Sequence, residues 1–152
     1  MSDVKGATIQ ELVDDVTLDS IDFIQLSVRK KDGEPLAESE PQWAVGIDNR
    51  ADNLGFRIRV AVALGFGNGE VSAEAAAAYS TTEVASTQIS REAMEQFVND
   101  VSCMQLMPYL RQAIADLTNR AFDSAITLPM LKRGQLTFEI SGNSGDEEPL
   151  AE

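Results

Sequence analysis

The chain has 152 residues, 43% of them apolar, with 12 basic against 25 acidic side chains, a formal charge of −13 and a pI near 4.3. That charge argues against nucleic acid or an anionic membrane as a partner, because both recruit proteins through cationic surfaces. The absence of histidine removes the commonest general base, every Ser-His or Cys-His pair and most zinc constellations. The length suits one domain with one core, burying about two-thirds of the unfolded surface. Cys103 is the only cysteine, so no internal disulfide is available, which fits a reducing compartment. Residues 1–20 lack the basic, apolar and small-residue succession of a signal peptide, and no apolar run approaches the roughly 20 residues of a spanning helix. A cytoplasmic protein, at most peripheral to a membrane, is expected. Neighbouring carboxylates such as Asp14-Asp15 and Glu147-Glu148 follow from the abundance of acid, and none sits in a Gly-rich phosphate loop or an EF-hand pattern. No cofactor, metal or enzymatic activity is expected; a carboxylate-dependent enzyme is the alternative that abundant acid alone suggests.

Val16, Leu18, Ile24, Leu26 and Val28 share one parity of an extended segment. Ser20 and Asp22 interrupt that face where Ile21 and Phe23 appear on the other, which implies a bulge or two contact faces. Lys30 to Pro41 is a polar connection with two prolines and a glycine, a loop. Trp43, Val45 and Ile47 alternate with Ala44, Gly46 and Asp48 as a second strand. Phe56, Ile58, Val60, Val62, Leu64 and Phe66 keep a period of two that only a strand gathers onto one face. Gly67-Asn68-Gly69 then turns the chain back. The returning segment, Val71 to Tyr79, holds five alanines and Glu74, which favour helix; the need of the preceding strand for a hydrogen-bonded neighbour makes it strand. Ser90 is placed as the N-cap of a helix from Arg91, with Ala93, Met94, Phe97, Val98 and Val101 as its apolar stripe. Pro108 is expected to interrupt or restart that helix. A second helix then buries Leu106, Leu110, Ala113, Ile114, Leu117 and Ala121 and exposes Arg111, Gln112, Asp116 and Asn119. The whole is an α+β domain over 1–140, a four-stranded antiparallel sheet followed by helices packed on one side. Residues 141–152, rich in Gly, Pro and acid, form a disordered acidic tail.

Met107-Pro108-Tyr109, with Arg111 two residues on, Arg120 at the helix end and then Leu128-Pro129, resembles the helix of the SecB-type export chaperones, whose strand order is also matched. The resemblance is sharp over 107–129 and diffuse over 43–79. It implies an ATP-independent holdase that assembles as a homotetramer, a dimer of dimers, and binds unfolded polypeptide clients, preproteins for export among them. It places client contacts at Leu26, Trp43 and Val45, in the family's strand-and-crossover wall, and at Met130, Leu131 and Phe138, where the family's groove-covering C-terminal segment begins. The helix carrying Leu106, Leu110, Ile114 and Leu117 corresponds to the oligomer interface, and Asp19 and Asp22 to the acidic surface that meets the SecA translocase motor.

Simpler assignments stand beside each of these. Trp43 in an alternating strand suits a core, Met104 and Met107 suit interhelical packing, and Arg111 and Arg120 suit ion pairs or carbonyl caps. Leu106, Leu110, Ile114 and Leu117 suit the chain's own core, and an acidic cluster suits a solvated face. Two features depart from the family. Lys132-Arg133-Gly134 breaks the C-terminal helix and Leu136, Phe138 and Ile140 alternate, while Ala75 to Ala78 replace the usual Gln- and Gly-rich strand. SecB-like proteins with such ends also serve as dedicated chaperones of one antitoxin, or could persist as scaffolds without client binding.

Overall fold

The computed structural model describes residues 8–34, 40–83 and 88–128. The expected acidic tail and Met130, Leu131 and Phe138 lie outside them. A short helix, α1 (Ile9–Asp15), precedes four strands, β1 (Thr17–Lys30), β2 (Gln42–Asn49), β3 (Gly55–Phe66) and β4 (Gly69–Ser80). Two helices follow, α2 (Arg91–Phe97) and α3 (Cys103–Phe122), joined without a break by a π-helical turn at Val98–Ser102. The strands form one antiparallel sheet in the order β1-β4-β3-β2, with α3 lying chiefly over β4 and β1. This is the α+β arrangement that the patterning implied.

The β3–β4 hairpin turns at Gly67-Asn68 and pairs from Phe66–Gly69 to Gly55–Ser80 without a shift. Helix propensity in the alanine run is overridden because β4 is the central partner of both β1 and β3. Its odd positions, Val71, Ala73, Ala75, Ala77 and Tyr79, are buried under the helices with Phe56, Ile58, Val60, Val62 and Leu64. Small side chains there let α3 sit close to the sheet. Phe56, Tyr79 and Phe97 meet at ring-centroid distances of 4.9–5.5 Å. The Tyr79 hydroxyl donates to Gln105 Oε1 at 2.5 Å and lies 3.0 Å from the Ser102 hydroxyl, so the π-helical turn presents a polar partner to a buried phenol.

β1 contains two bulges, with register shifts between Leu18 and Ser20 and between Phe23 and Gln25. Each extra residue reverses the parity, so Leu18, Ile21, Phe23, Leu26 and Val28 oppose Tyr79, Ala77, Ala75, Ala73 and Val71 on the helix side. Simple alternation had set Ile21 and Phe23 on the other face; the bulges bring them back. From β1 the chain crosses to the opposite edge past the hairpin end, where Lys31 N–H donates to the Asn68 carbonyl at 3.0 Å. A Cβ on Gly33 would collide with the Gly67 carbonyl oxygen, which explains glycine at that close approach.

Three helical features differ from the reading of the sequence. Helix α1 went unread: Thr8 and Glu11 form a reciprocal capping box and Leu12 is fully buried, but 7 residues are too few to show a period. Asp15 at its end accepts hydrogen bonds from the Thr82 and Glu83 amides. Pro108 neither interrupts nor restarts a helix, since α3 runs through it. One backbone bond is lost, to the Met104 carbonyl four residues back, and Pro108 and Met104 both face solvent, where water can serve that carbonyl. Arg111 is half-buried rather than exposed, and its Nε donates to the Leu128 carbonyl at 3.0 Å. With Ile126 N–H donating to Thr118 Oγ1 at 2.8 Å, that bond ties residues 126–128 back along α3. The Ser90 cap is as expected, accepting from Ala93 N–H at 3.0 Å.

Candidate functional site

Leu106, Leu110 and Ile114 are fully buried in the single chain, and Leu117 is half-buried against the same core. The residues matched to an oligomer interface therefore fill the chain's own interior against the sheet, chiefly against β4 and β1. A helix stripe and an interface stripe look alike in sequence; only the sheet beneath α3 separates them. Met107 is core as well, at 5% exposure, while Met104 is exposed.

Among the described residues Val13 on α1 and Leu54 before β3 are exposed singly, and the remaining uncovered apolar surface lies at the two sheet edges. On the β1 side Leu18, Phe23, Ile24, Leu26, Met104 and Tyr109 are all exposed, Leu26 at 49% and Tyr109 at 44%. Phe23 and Tyr109 meet edge to face with centroids 6.4 Å apart, joining strand and helix into one apolar strip. Such a contiguous patch marks an interaction surface more often than a lone exposed leucine does. On the far edge Trp43, Val45 and Ile47 oppose Val62, Val60 and Ile58 and are half-buried, packing partly on the core. Leu26 and Trp43 share a sheet face but sit on opposite edges, separated by β4 and β3, a span of about 14 Å at the usual strand spacing. They are not neighbours on the sheet. Phe23 and Tyr109 went unassigned in the sequence; the Pro-Tyr pair was legible, but the bulges hid Phe23 from it.

The opposite sheet face carries small and charged side chains. Asp48 accepts from Arg57 Nη2 at 2.9 Å and from Arg59 Nε at 2.8 Å, and Arg59 Nη1 reaches Glu74 at 3.1 Å. A Cβ on Gly46 would strike the Arg59 guanidinium, so glycine there lets Arg59 lie flat across the strands. Burial pushes the Asp48 carboxyl up, but hydrogen bonds and charge from Arg59 and Arg57 outweigh it and hold the group below its ordinary value. The unfolded chain then takes up the proton first as pH falls. The stabilisation from Asp48 is full above the ordinary aspartate value of about 3.9 and is lost as pH falls through the lower folded value. Asp48→Asn should cost about 0.5–1 kcal/mol at pH 7, the scale of partly exposed pairs, and progressively less below about pH 4. Urea unfolding of both proteins across pH 3–7 checks this.

Asp19 and Asp22 are exposed on β1. Asp19, the extra residue of the first bulge, accepts from the Ser80 hydroxyl at 3.1 Å, and Asp22 from the Ser20 hydroxyl at 3.4 Å. Arg120 pairs with Asp116 along α3 at 3.1 Å. Burial pushes the Cys103 thiol up to about 11 and the Tyr79 phenol up to about 12, so both stay protonated near neutrality and neither is an activated nucleophile. Among the described residues no group of three or more Cys, Asp or Glu side chains could hold a metal, and no helix is long and apolar enough to cross a membrane.

The sheet order and single helical layer match a solved SecB-like chaperone of Mycobacterium tuberculosis, in complex with a peptide from the HigA1 antitoxin, with a TM-score of 0.70 at 18% identity. That match covers 81% of this chain and 92% of the other. The fold is SecB-like. A protein of unknown function from Streptococcus agalactiae aligns at 13% identity and a TM-score of 0.47, covering 76% of this chain and 97% of that one. No protein-family model and no curated sequence matches the chain. In this SecB-like frame Tyr109, Arg111 and Arg120 of the Pro-Tyr-x-Arg helix acquire distinct positions: Tyr109 on the apolar strip, Arg111 on the Leu128 carbonyl, Arg120 in solvent with Asp116.

Proposed function

We propose that the chain is an ATP-independent holdase that binds unfolded polypeptide, and that its client is a dedicated one such as an antitoxin. The exposed apolar rims on a SecB-like sheet carry this reading, since unfolded chains are recognised through apolar segments that folded proteins bury. The peptide complex of the mycobacterial neighbour supports an antitoxin-type client over a range of preproteins for export. Docking of a SecA-type motor at the exposed Asp19 and Asp22 belongs to the export reading that this displaces. A net charge of −13 favours clients with basic segments, by electrostatic steering. A homotetramer is the proposed assembly, held through the Phe23–Leu26–Tyr109 strip in place of the buried leucines. A free, buried Cys103 supports the cytoplasm as the compartment.

A dedicated holdase should suppress aggregation of a basic, antitoxin-like unfolded chain at stoichiometric amounts while leaving several unrelated unfolded enzymes to aggregate. Light scattering during dilution from urea measures both. Protection of every client equally would favour the broad export type, and protection of none would overturn the holdase reading.

A further inference from the structure

The sheet face turned away from the helices holds a recess of about 260 Å³, lined by Asp19, Asp48, Asn49, Arg50, Arg57 and Ala78. Each charged wall is positioned by its own device. Asp19 is the extra residue of the first β1 bulge, and a bulge re-aims the side chain it inserts. Its carboxylate is steadied by the Ser80 hydroxyl, which donates to it at 3.1 Å. Arg57 is held by Asp48, to which its Nε and Nη2 donate at 3.1 and 2.9 Å. Arg50 is held by Asp52 through Nε and Nη2 at 3.1 and 2.6 Å. It also lies over Gly55, where a Cβ would collide with the Arg50 side chain and the Tyr79 carbonyl oxygen. Ala78, opposite Arg57 in the register, keeps the floor between these walls low.

We propose that this recess is a binding site for a small zwitterion of about dipeptide length, with its ammonium at Asp19 and its carboxylate at Arg50 and Arg57. Both arginines engage their partners through Nε and Nη2, so the amino group that meets a ligand is Nη1 in each. A guanidinium already fixed in this way loses little further freedom on binding. Charge matching excludes simpler ligands. A lone anion would meet Asp19 and Asp48, and a lone cation would meet two guanidinium groups, whereas a ligand bearing both charges suits every wall. Length follows from the sheet. Asp19 of β1 and Arg57 of β3 stand on either side of β4, about 9.5 Å apart at the usual strand spacing. Side chains reaching in from both ends leave about the 7 Å that two extended residues span. The recess is separate from the apolar strip, which lies on the helix side, so the site stands independently of the holdase reading.

The probe is glycylglycine, compared with its N-acetylated and its C-amidated forms, titrated into the full chain and followed by backbone amide chemical shifts. Glycylglycine should give saturable shifts at Asp19, Asn49, Arg57 and Ala78. Each blocked form lacks one charge and should bind at least about tenfold more weakly, the loss of one charge-assisted hydrogen bond. Asp19→Asn should remove the advantage of the free peptide over the acetylated one and keep its advantage over the amide; Arg50→Gln should do the reverse. Both side chains are exposed, so both variants should retain the parental circular dichroism spectrum, and if one fails to fold the other still decides. Asp22→Asn, on the same face outside the recess, should bind glycylglycine as the parent does. Equal binding of the three peptides would overturn a zwitterion site, and shifts that grow linearly without saturating would overturn any site. Saturable shifts centred on Phe23, Leu26 and Tyr109 would move the ligand to the apolar strip and overturn the recess.

Discussion

Leu110→Asp is expected to unfold the chain rather than dissociate an assembly. Leu110 is fully buried between α3 and the sheet, where an unpaired carboxylate costs about 4 kcal/mol or more, or is driven neutral at similar cost. Domains of this size have about 5–15 kcal/mol in total, so most of the stability is removed. Ile114→Asp should behave alike, and the neighbouring Gln112→Asp, on the exposed side of α3, should change stability by less than about 0.5 kcal/mol. Urea denaturation followed by circular dichroism measures all three. A Leu110→Asp protein that unfolds cooperatively near the parental midpoint, but with reduced mass in solution, would return the stripe to an oligomer interface.

The double variant Phe23→Asp, Tyr109→Asp should do the opposite, leaving a folded chain that has lost self-association. Both rings are more than 40% exposed and meet each other edge to face. The cost to the fold should be about 1 kcal/mol for each. In an assembly the same two carboxylates would be trapped in apolar contact, costing several kcal/mol for every copy of the strip buried. Solution mass by light scattering should fall from the assembled value to the 16.5 kDa of one chain, with the circular dichroism spectrum retained. A variant that keeps the parental mass and remains folded would exclude the strip as the interface, and a parent protein already at 16.5 kDa would remove the proposed assembly altogether.

The proposed client rim was only partly legible in the sequence. Trp43 and Val45 alternate with small residues and do stand half-buried on an edge strand, whereas Leu26, grouped with them, lies across the sheet. Nothing within the segment containing Leu26 states which edge it occupies, because the order β1-β4-β3-β2 arises from a crossover and not from a neighbouring turn. Phe23 was hidden for a related reason. A bulge is a disagreement in count between two strands, so it exists only once the partner is known.

By itself the sequence determined the features set by local chemistry. The strict alternation from Phe56 to Phe66 with Gly67-Asn68 behind it specified the hairpin, Ser90 specified a helix start, and the lack of histidine removed most catalytic chemistry. Tertiary structure decided which apolar residues are interior and which are surface. Leu110 and Tyr109 are adjacent on α3, yet one is fully buried and the other 44% exposed, since a helix turns by about 100° per residue and only the sheet fixes which side is inside. The same packing holds an alanine run as strand against its propensity and carries α3 through Pro108. In each case burial against a neighbour distant in sequence outweighs a local preference of about 1 kcal/mol or less per residue, or for proline about 3 kcal/mol.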